Sequence, residues 1–168
     1  VCIIGLGRQG TAAAYDLLLH SNLKELMLLD VNPPSIKTCL EKIKKVKPTD
    51  VIIKTETLDL NNKMLLIDTL KYYDIFLSSV PYQFNPMLTK IALESKTSMV
   101  DLGGHTQNVI KQLSHHDEAV NKNISIVPDC GMGPGMNVSV ALLAMEQLDK
   151  PQDVFIWDGG LPKKPKPP

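Results

Sequence analysis

The sequence has little of what several classes of protein need. Its three cysteines, Cys2, Cys39 and Cys130, are odd in number and widely spaced, which argues against a disulfide framework or a zinc site and is typical of the reducing cytosol. No apolar run approaches the roughly 20 residues of a membrane span. Eighteen basic residues balance eighteen acidic ones, and aromatic residues are only 5% of the chain, so no basic stripe with interleaved aromatics is present. We therefore expect a cytoplasmic protein with neither a nucleic-acid nor a membrane partner.

What the sequence does contain is a glycine motif close to its beginning. Residues 1–4 are a short apolar run, residues 5–10 read Gly-Leu-Gly-Arg-Gln-Gly, and residues 11–20 have the pattern of a helix. A strand, a G-x-G-x-x-G loop and a helix in this order are the fingerprint of dinucleotide binding, in which the pyrophosphate lies on the amides at the helix start. The motif predicts the cofactor-binding residues Gly5, Gly7, Arg8, Gln9 and Gly10.

An acidic residue follows at the distance that this fingerprint requires. Residues 26–29 read as a second strand, and Asp30 lies at its carboxyl end, about twenty residues after Gly10. A carboxylate there accepts hydrogen bonds from the ribose hydroxyls and would repel a 2′-phosphate. No arginine or lysine follows before Lys37, so the sequence favours NAD as the cofactor, with NADP second. The alternative is that Asp30 only begins a turn.

Apolar runs and amphipathic segments alternate along the rest of the chain. Strands are predicted near residues 1–4, 26–30, 51–55, 74–79, 97–101, 124–127 and 153–157. Helices are predicted near residues 8–20, 35–45, 61–72, 85–95, 106–122 and 136–148. This alternation predicts βαβ units, and hence an α/β fold with a Rossmann-type doubly wound parallel sheet. The ligand crevice of such a sheet lies at the carboxyl ends of its strands.

Cofactor contacts are expected after the third and fourth strands. Asp59 could accept a hydrogen bond from the adenine amino group, or it could cap the helix near residues 61–72, which is the safer interpretation. Ser79, Val80 and Pro81 follow the fourth strand and should approach the nicotinamide half of the cofactor.

Three further residues are candidates for the reaction itself. Tyr82 is a candidate proton donor or substrate contact, although an aromatic residue after a strand usually just packs. Asp101 ends the fifth strand and is expected to face the crevice. Cys130 lies in a glycine-rich loop and could place a thiol near the hydride-transfer centre, or it could be a small buried packing residue. The adjacent His115 and His116 lack the i, i+4 spacing of metal ligands on a helix, so no metal site is predicted.

The chain resembles the saccharopine dehydrogenase-like family, and within it the lysine 6-dehydrogenase type. The stretches that carry the resemblance are Gly5–Gly10, Ser79–Tyr82, Val100–Thr106, Val127–Met136 and Trp157–Pro162. The resemblance implies a nicotinamide-binding Rossmann domain over residues 1–135. It also implies that residues 136–168 begin a second α/β domain, which completes the substrate site and usually makes a homodimer; the seventh predicted strand would belong to it.

The resemblance further implies hydride transfer between NAD and the amine-bearing carbon of an amino acid, which for a lysine 6-dehydrogenase is the ε-carbon of lysine. A base must first take the ammonium proton, and Tyr82, Asp101 and Cys130 are the candidates. The alternatives are imine reduction of the saccharopine or carboxynorspermidine reductase type, and a non-catalytic module that senses NAD. Because the chain opens inside its first strand without a methionine and ends in a proline-rich stretch, we expect the full protein to be longer.

Overall fold

Strands and helices alternate through most of the chain in the computed structural model, which describes residues 1–46, 50–157 and 159. The strands are β1 Cys2–Ile4, β2 Glu25–Asp30, β3 Ile52–Thr57, β4 Ile75–Ser78, β5 Ser98–Asp101 and β6 Ile126–Val127. The helices are α1 Arg8–His20, α2 Pro33–Ile43, α3 Lys63–Leu70, α4 Asn85–Ser95, α5 Thr106–Leu113, α6 His116–Asn121 and α7 Met136–Met145, with a 3₁₀ turn at Tyr82–Phe84 before α4.

The six strands form a parallel sheet in the order β3-β2-β1-β4-β5-β6. β1 lies between β2 and β4, so the strand order reverses at β1. In an open α/β sheet this reversal opens a crevice at the carboxyl ends of the strands, where dinucleotides bind. The predicted Rossmann-type doubly wound fold is confirmed.

The sheet is buried on both faces. Its central strand β1 is continuously apolar, and its successive side chains point to opposite faces. Cys2 and Ile4 of β1 belong to a core cluster that includes Leu66 of α3 and Leu88 of α4. Ile3 points to the opposite face, into a second cluster with residues of α1 and α2. Successive strand residues face opposite sides of a sheet, so a continuous apolar strand is the pattern of a strand covered on both sides.

The start of α3 corrects one prediction about capping. The side-chain oxygen of Asn62 accepts a hydrogen bond from the Leu65 N–H at 3.3 Å, so Asn62 is the N-cap. Asp59 instead accepts from the Asn61 N–H at 2.9 Å and forms a turn before the helix. The prediction that Asp59 caps this helix is therefore wrong. An amide side chain at the Asn62 position satisfies an otherwise unpaired amide of the first turn.

The single helix predicted over residues 106–122 is wrong, because α5 and α6 are separated by a break at Ser114 and His115. The Ser114 hydroxyl donates to the Lys111 carbonyl at 2.7 Å. Serine side chains that bond nearby carbonyls compete with the helical ladder, which explains a break inside a helical pattern.

The seventh predicted strand, at residues 153–157, is also wrong. Residues 151–157 form neither helix nor strand, and Phe155 and Trp157 are 79% and 90% exposed. A strand needs a neighbouring strand for its backbone hydrogen bonds, and within the described residues this segment has none. The following Asp158 and residues 160–168 lie outside the described part of the chain.

Helix α7 differs from the other long helices because none of its residues is buried against the rest of the described chain. Its sequence is nonetheless strongly apolar, and Val140, Leu142 and Leu143 are each more than half exposed. Across residues 1–46, 50–157 and 159, no helix combines the length and apolarity that crossing a bilayer requires.

Candidate active site

The glycine loop leaves room for a phosphate group at the start of α1. Gly7 is the N-cap of α1, and Arg8 and Gln9 form its exposed first turn, where helix amides have no intrahelical partner. A Cβ at Gly7 would meet no atom within 4 Å, so the space over the loop is open. A Cβ at Gly10 would collide with the Gly5 carbonyl oxygen, so α1 approaches β1 as closely as the fingerprint requires. The loop therefore fits a pyrophosphate.

Residues after β4 hold this loop in place. The Ser79 N–H donates to the Ile4 carbonyl at 2.9 Å, and the Ser79 hydroxyl donates to the carbonyls of Ile4 and Gly5. The Val80 side chain packs directly on Gly5, where a Cβ would lie 2.8 Å from Val80 Cγ1. Ser79 and Val80, predicted as cofactor contacts, thus support the backbone of the glycine loop.

Asp30 is tied to the glycine loop by its own carboxylate. Asp30 Oδ2 accepts a hydrogen bond from the Leu6 N–H at 2.6 Å, and Oδ1 accepts from the Asn32 N–H at 2.8 Å. Each oxygen of an ionised carboxylate can accept more than one hydrogen bond, so a ribose hydroxyl can still be bound. Asp30 therefore shapes the loop between β1 and α1 in addition to its predicted role.

Two cavities open near the Asp30 end of the crevice. One, of about 170 Å³, is lined by Asp30, Val31, Leu58, Asp59, Pro81 and Phe84, so apolar side chains and two aspartates share its walls. The other, of about 350 Å³, is lined by Arg8, Asn32, Ser35, Thr38 and Lys42. The first has the character of a nucleoside pocket, and the second carries two cations and several hydrogen-bond donors.

Asp101 is buried rather than open to the crevice. It has no exposed surface, its Oδ1 accepts from the N–H groups of Gly103 at 2.7 Å and Asp129 at 3.2 Å, and its Oδ2 accepts from Gln112 Nε2 at 2.7 Å. Its carbonyl also accepts from the Cys130 N–H at 2.8 Å. The side chain thus joins the loop after β5, the loop after β6 and helix α5. Its predicted catalytic role remains a prediction.

Cys130 is exposed, so it is not a buried packing residue, whereas Cys2 and Cys39 are buried. Partial burial raises the pKa of the Cys130 thiol, and the nearby carboxylates of Asp101 and Asp129 raise it further. The thiol is therefore held in its protonated form at neutral pH. A thiolate nucleophile needs the opposite, electropositive surroundings.

Tyr82 lies beside this cluster and stacks on His105. Their ring centroids are 5.4 Å apart with an interplanar angle of 9°, and Tyr82 is 44% exposed. The Asn108 side chain donates to the Tyr82 carbonyl at 3.1 Å. A Cβ at Gly104 would lie 3.2 Å from the Tyr82 ring, so the glycine admits the tyrosine side chain. The structure therefore gathers Tyr82, Asp101 and Cys130 around one loop, residues 101–105.

The sequence comparison decides the family. Residues 1–127 match the family model described as the saccharopine dehydrogenase NADP binding domain. The chain belongs to this family. It is 26% identical over 113 residues to saccharopine dehydrogenase [NADP(+), L-glutamate-forming] of Saccharomyces cerevisiae, covering 65% of this chain and 25% of that protein. It is 29% identical over 96 residues to the mitochondrial alpha-aminoadipic semialdehyde synthase of Rattus norvegicus, covering 53% of this chain and 10% of that protein.

Solved structures show the same fold. Apo saccharopine dehydrogenase (L-Glu forming) from Saccharomyces cerevisiae superposes with a TM-score of 0.64 at 19% identity, over 86% of this chain and 30% of that chain. Shikimate dehydrogenase of Mycobacterium tuberculosis superposes with a TM-score of 0.54 at 11% identity, over 76% and 44% of the two chains. The chain thus spans a quarter or less of the curated relatives named above, and less than half of these structures.

Sequence reasoning missed two residues that this saccharopine dehydrogenase-family domain places against the loop of residues 101–105, Asp129 and Gln112. Asp129 has a left-handed backbone, with φ of 61°, and its Oδ1 accepts from the Gly104 N–H at 3.3 Å. The sequence did offer a signal for Asp129, because this residue lies between a strand end and a glycine-rich loop. Gln112 had no signal, because a glutamine on a helix is usually exposed. No group of three or more His, Cys, Asp or Glu side chains suited to a metal occurs within the described ranges.

Proposed function

We propose that the chain is the cofactor-binding part of a nicotinamide-dependent oxidoreductase that acts at a carbon–nitrogen bond of an amino-acid substrate. The observation that carries this proposal is the crevice, where an open glycine loop and a cluster of Tyr82, Asp101 and Cys130 follow neighbouring strands of one sheet. The bound cofactor supplies the hydride acceptor or donor on its nicotinamide ring. Gly5, Gly7, Arg8, Gln9 and Gly10 would bind its pyrophosphate, and Pro81 and Val80 would border its nicotinamide half.

The three candidate catalytic residues differ in what they can do. Tyr82 is partly exposed and can exchange a proton with a bound amine or imine. The Cys130 thiol, whose pKa is raised, can donate a proton but is a poor base at neutral pH. Asp101 is buried and already accepts three hydrogen bonds, so its proposed contribution is to hold the loop that carries Cys130. Replacing Tyr82 by phenylalanine therefore should lower kcat more than replacing Asp101 by asparagine.

For the cofactor we propose NADP rather than the NAD favoured by the sequence pattern. The Asp30 carboxylate, on which the NAD preference rested, also holds two backbone amides, so an acidic residue at this position has a structural reason besides ribose binding. Beside it, the cavity that Arg8 and Lys42 line with Ser35 and Thr38 offers cations and hydroxyl groups to a 2′-phosphate. Neither cation has an ion-pair partner within the described part of the chain, so both are available to a ligand. The family description also names NADP.

The cofactor test compares NADP and NAD binding to the full-length protein by calorimetry. Arg8→Ala and Lys42→Ala should each weaken NADP about tenfold, because each removes a charge-assisted contact that is partly screened by solvent. Lys42→Ala should change NAD affinity less than twofold, whereas Arg8→Ala should also weaken NAD, though less than NADP, because Arg8 lies at the pyrophosphate that both cofactors share. Lys37→Ala, an exposed lysine of α2 outside the cavity, is the matched control and should change neither. Equal losses for NAD and NADP in Arg8→Ala and Lys42→Ala would contradict the proposal, as would NAD binding tighter than NADP.

For the substrate, two reactions of this class are compared. One is release of hydride from the lysine ε-carbon, of the lysine 6-dehydrogenase type. The other is the saccharopine type, which the similarity to saccharopine dehydrogenase of Saccharomyces cerevisiae supports. The full-length protein should be offered L-lysine and then saccharopine, each with NAD and NADP, while reduced nicotinamide is followed by absorbance. Turnover of one substrate identifies the reaction. A third outcome is that the protein binds the cofactor tightly, turns over neither substrate and leaves NADPH unoxidised when an aldehyde and an amine are supplied. That result would favour a sensing module.

We also propose the domain division expected from the resemblance, with residues 1–135 as the cofactor domain and residues 136–168 as the start of a substrate domain. The exposed apolar surface of α7 supports it, because such a surface suits a helix that packs on further chain. We also propose that the full-length protein forms a homodimer and is located in the cytoplasm. Light scattering of the full-length protein tests the first, and imaging of a tagged copy tests the second.

A further inference from the structure

Helix α5 buries a polar residue where an apolar one is expected. Gln112 is 3% exposed and is the buried residue of this helix, whereas Ile110 and Leu113 are 54% and 56% exposed. A helix that packs through its apolar face would bury the isoleucine and the leucine. The side chain that α5 buries within the described chain is thus a carboxamide, which indicates a specific polar partner.

That partner is the carboxylate of Asp101. Gln112 Nε2 donates to Asp101 Oδ2 at 2.7 Å, while Oδ1 accepts the N–H groups of Gly103 and Asp129. The Asp101 carbonyl accepts from the Cys130 N–H at 2.8 Å. One buried side chain thus connects α5 to the segment Asp129–Cys130, whose backbone is left-handed at Asp129.

Asp101 depends on these donors because its charge has no cationic partner. Within residues 1–46, 50–157 and 159, no lysine, arginine or histidine forms an ion pair with it. A buried carboxylate without a countercharge is tolerated only when hydrogen-bond donors surround it. Gln112 is its side-chain donor in this part of the chain, and the other two donors are backbone amides. Gln112 therefore holds Oδ2 of the carboxylate, while the two backbone amides hold Oδ1.

We propose that Gln112 is a positioning residue, which acts through Asp101 to hold the segment Asp129–Cys130 at the mouth of the crevice. The proposal rests on the proposed function in one respect, namely that this segment borders the bound substrate. Gln112 itself touches neither substrate nor cofactor. It holds the Asp101 carboxylate, the carboxylate accepts the Asp129 amide, and Asp129 places the adjoining Cys130.

Exchanging the two functional groups provides the decisive test. In Gln112→Glu a carboxylate faces the Asp101 carboxylate, so the pair repels and the segment loosens. Adding Asp101→Asn restores the pairing with the roles reversed. The asparagine Oδ1 accepts the amides of Gly103 and Asp129, and its Nδ2 donates to the new glutamate. Gln112→Met removes the donor without adding a charge, and it serves if Gln112→Glu fails to fold. Gln107→Glu, an exposed position on the same helix, is the matched control.

Two readouts on the full-length protein do not require turnover. Hydrogen–deuterium exchange of the peptide containing residues 128–132 reports the Asp129 and Cys130 amides, and alkylation of Cys130 by iodoacetamide, mapped by mass spectrometry, reports its thiol. Gln112→Glu should accelerate the exchange about tenfold or more, since a buried hydrogen bond to a charged group is lost. The double variant should return the exchange to within about threefold of the parent, and Gln107→Glu should match the parent. Alkylation is compared between Gln112→Met and the parent, because this variant adds no charge near the thiol, and it should be faster in Gln112→Met.

A double variant as fast as Gln112→Glu would overturn the proposal, and so would parent-like rates in Gln112→Glu and Gln112→Met. Once a substrate is known, Gln112→Glu should raise its KM severalfold more than that of the cofactor, and the double variant should reverse this. Altered exchange with an unchanged substrate KM would refute the positioning role. If no substrate is turned over, the proposed function fails, while exchange and alkylation still decide whether Gln112 holds the segment.

Discussion

Replacing Asp30 should loosen the glycine loop even when no cofactor is bound. Its Oδ2 accepts from the Leu6 N–H at 2.6 Å, and its Oδ1 accepts from the Asn32 N–H at 2.8 Å. Leu6 is 3% exposed, so in Asp30→Ala its amide would lose its partner with little access to water. Asn32 is exposed, so its amide can turn to solvent at almost no cost.

The magnitude follows from this difference. A hydrogen bond to a charged group contributes about 1.5–3 kcal/mol, so Asp30→Ala should destabilise the loop by about 2 kcal/mol, nearly all of it at Leu6. Asp30→Asn can keep its carbonyl oxygen on the Leu6 amide and loses only the charge, which should cost about 1 kcal/mol or less. These values correspond to about 30-fold and about fivefold more frequent opening of the loop.

The assay is native-state hydrogen exchange of the Leu6 amide in the full-length protein without cofactor. Asp30→Ala should exchange about 30 times faster than the parent, with Asp30→Asn between the two. Asp16→Ala, an exposed aspartate on α1, is the control and should leave Leu6 unchanged. If Asp30→Ala weakens cofactor binding but does not change the exchange rate of the Leu6 amide, the reasoning is refuted. Asp30 would then act only by binding the ribose.

Three further outcomes are expected. Gly7→Ala should weaken dinucleotide binding in calorimetry but leave the urea unfolding midpoint unchanged, because its Cβ meets no protein atom. Gly10→Ala should lower both the dinucleotide affinity and the unfolding midpoint, because its Cβ collides with the Gly5 carbonyl. Phe76→Ala should destabilise the protein by about 3–5 kcal/mol in urea unfolding, because Phe76 is fully buried in the core, and a loss below about 1 kcal/mol would contradict this packing. Hydrogen bonds from the Lys54 ammonium and then from the Tyr73 hydroxyl lower the pKa of Glu25. The ionised Glu25 therefore stabilises the protein at neutral pH, and this stabilisation is lost as the pH falls below the ordinary glutamate value of 4.5. The Tm of Glu25→Gln should consequently decline less in acid than that of the parent.

The fold could be predicted because its signals are local. Apolar runs such as residues 2–4 and 26–29 are continuous, which is the pattern of strands buried on both faces, and the glycine motif marks the first crossover. The seventh strand failed because a strand requires a partner, and residues 153–157 have none within the described part of the chain. The break between α5 and α6 was missed because it depends on one serine hydroxyl, not on the helical pattern.

The site was predicted less completely than the fold. Their places after strand ends identified Tyr82, Asp101 and Cys130 as candidates at the crevice, and the structure brings them around one loop. Whether a strand-end side chain points into the crevice or beneath it depends on which residues pack over it. Asp101 is buried because α5 covers it with Gln112, and that pairing spans elements that local sequence patterns do not connect.

The position of β1 at the centre of the sheet has a consequence for how the chain folds. Its partner on one side, β2, follows after a single helix, but its partner on the other side, β4, emerges only after two further helices and β3. Parallel pairings between distant segments form slowly. During synthesis, β1 should therefore stay open along one edge until Phe76 and its neighbours have left the ribosome. Pulsed hydrogen exchange during refolding should show β2 and β3 protected before β4 and β5, and simultaneous protection of all four would exclude this order.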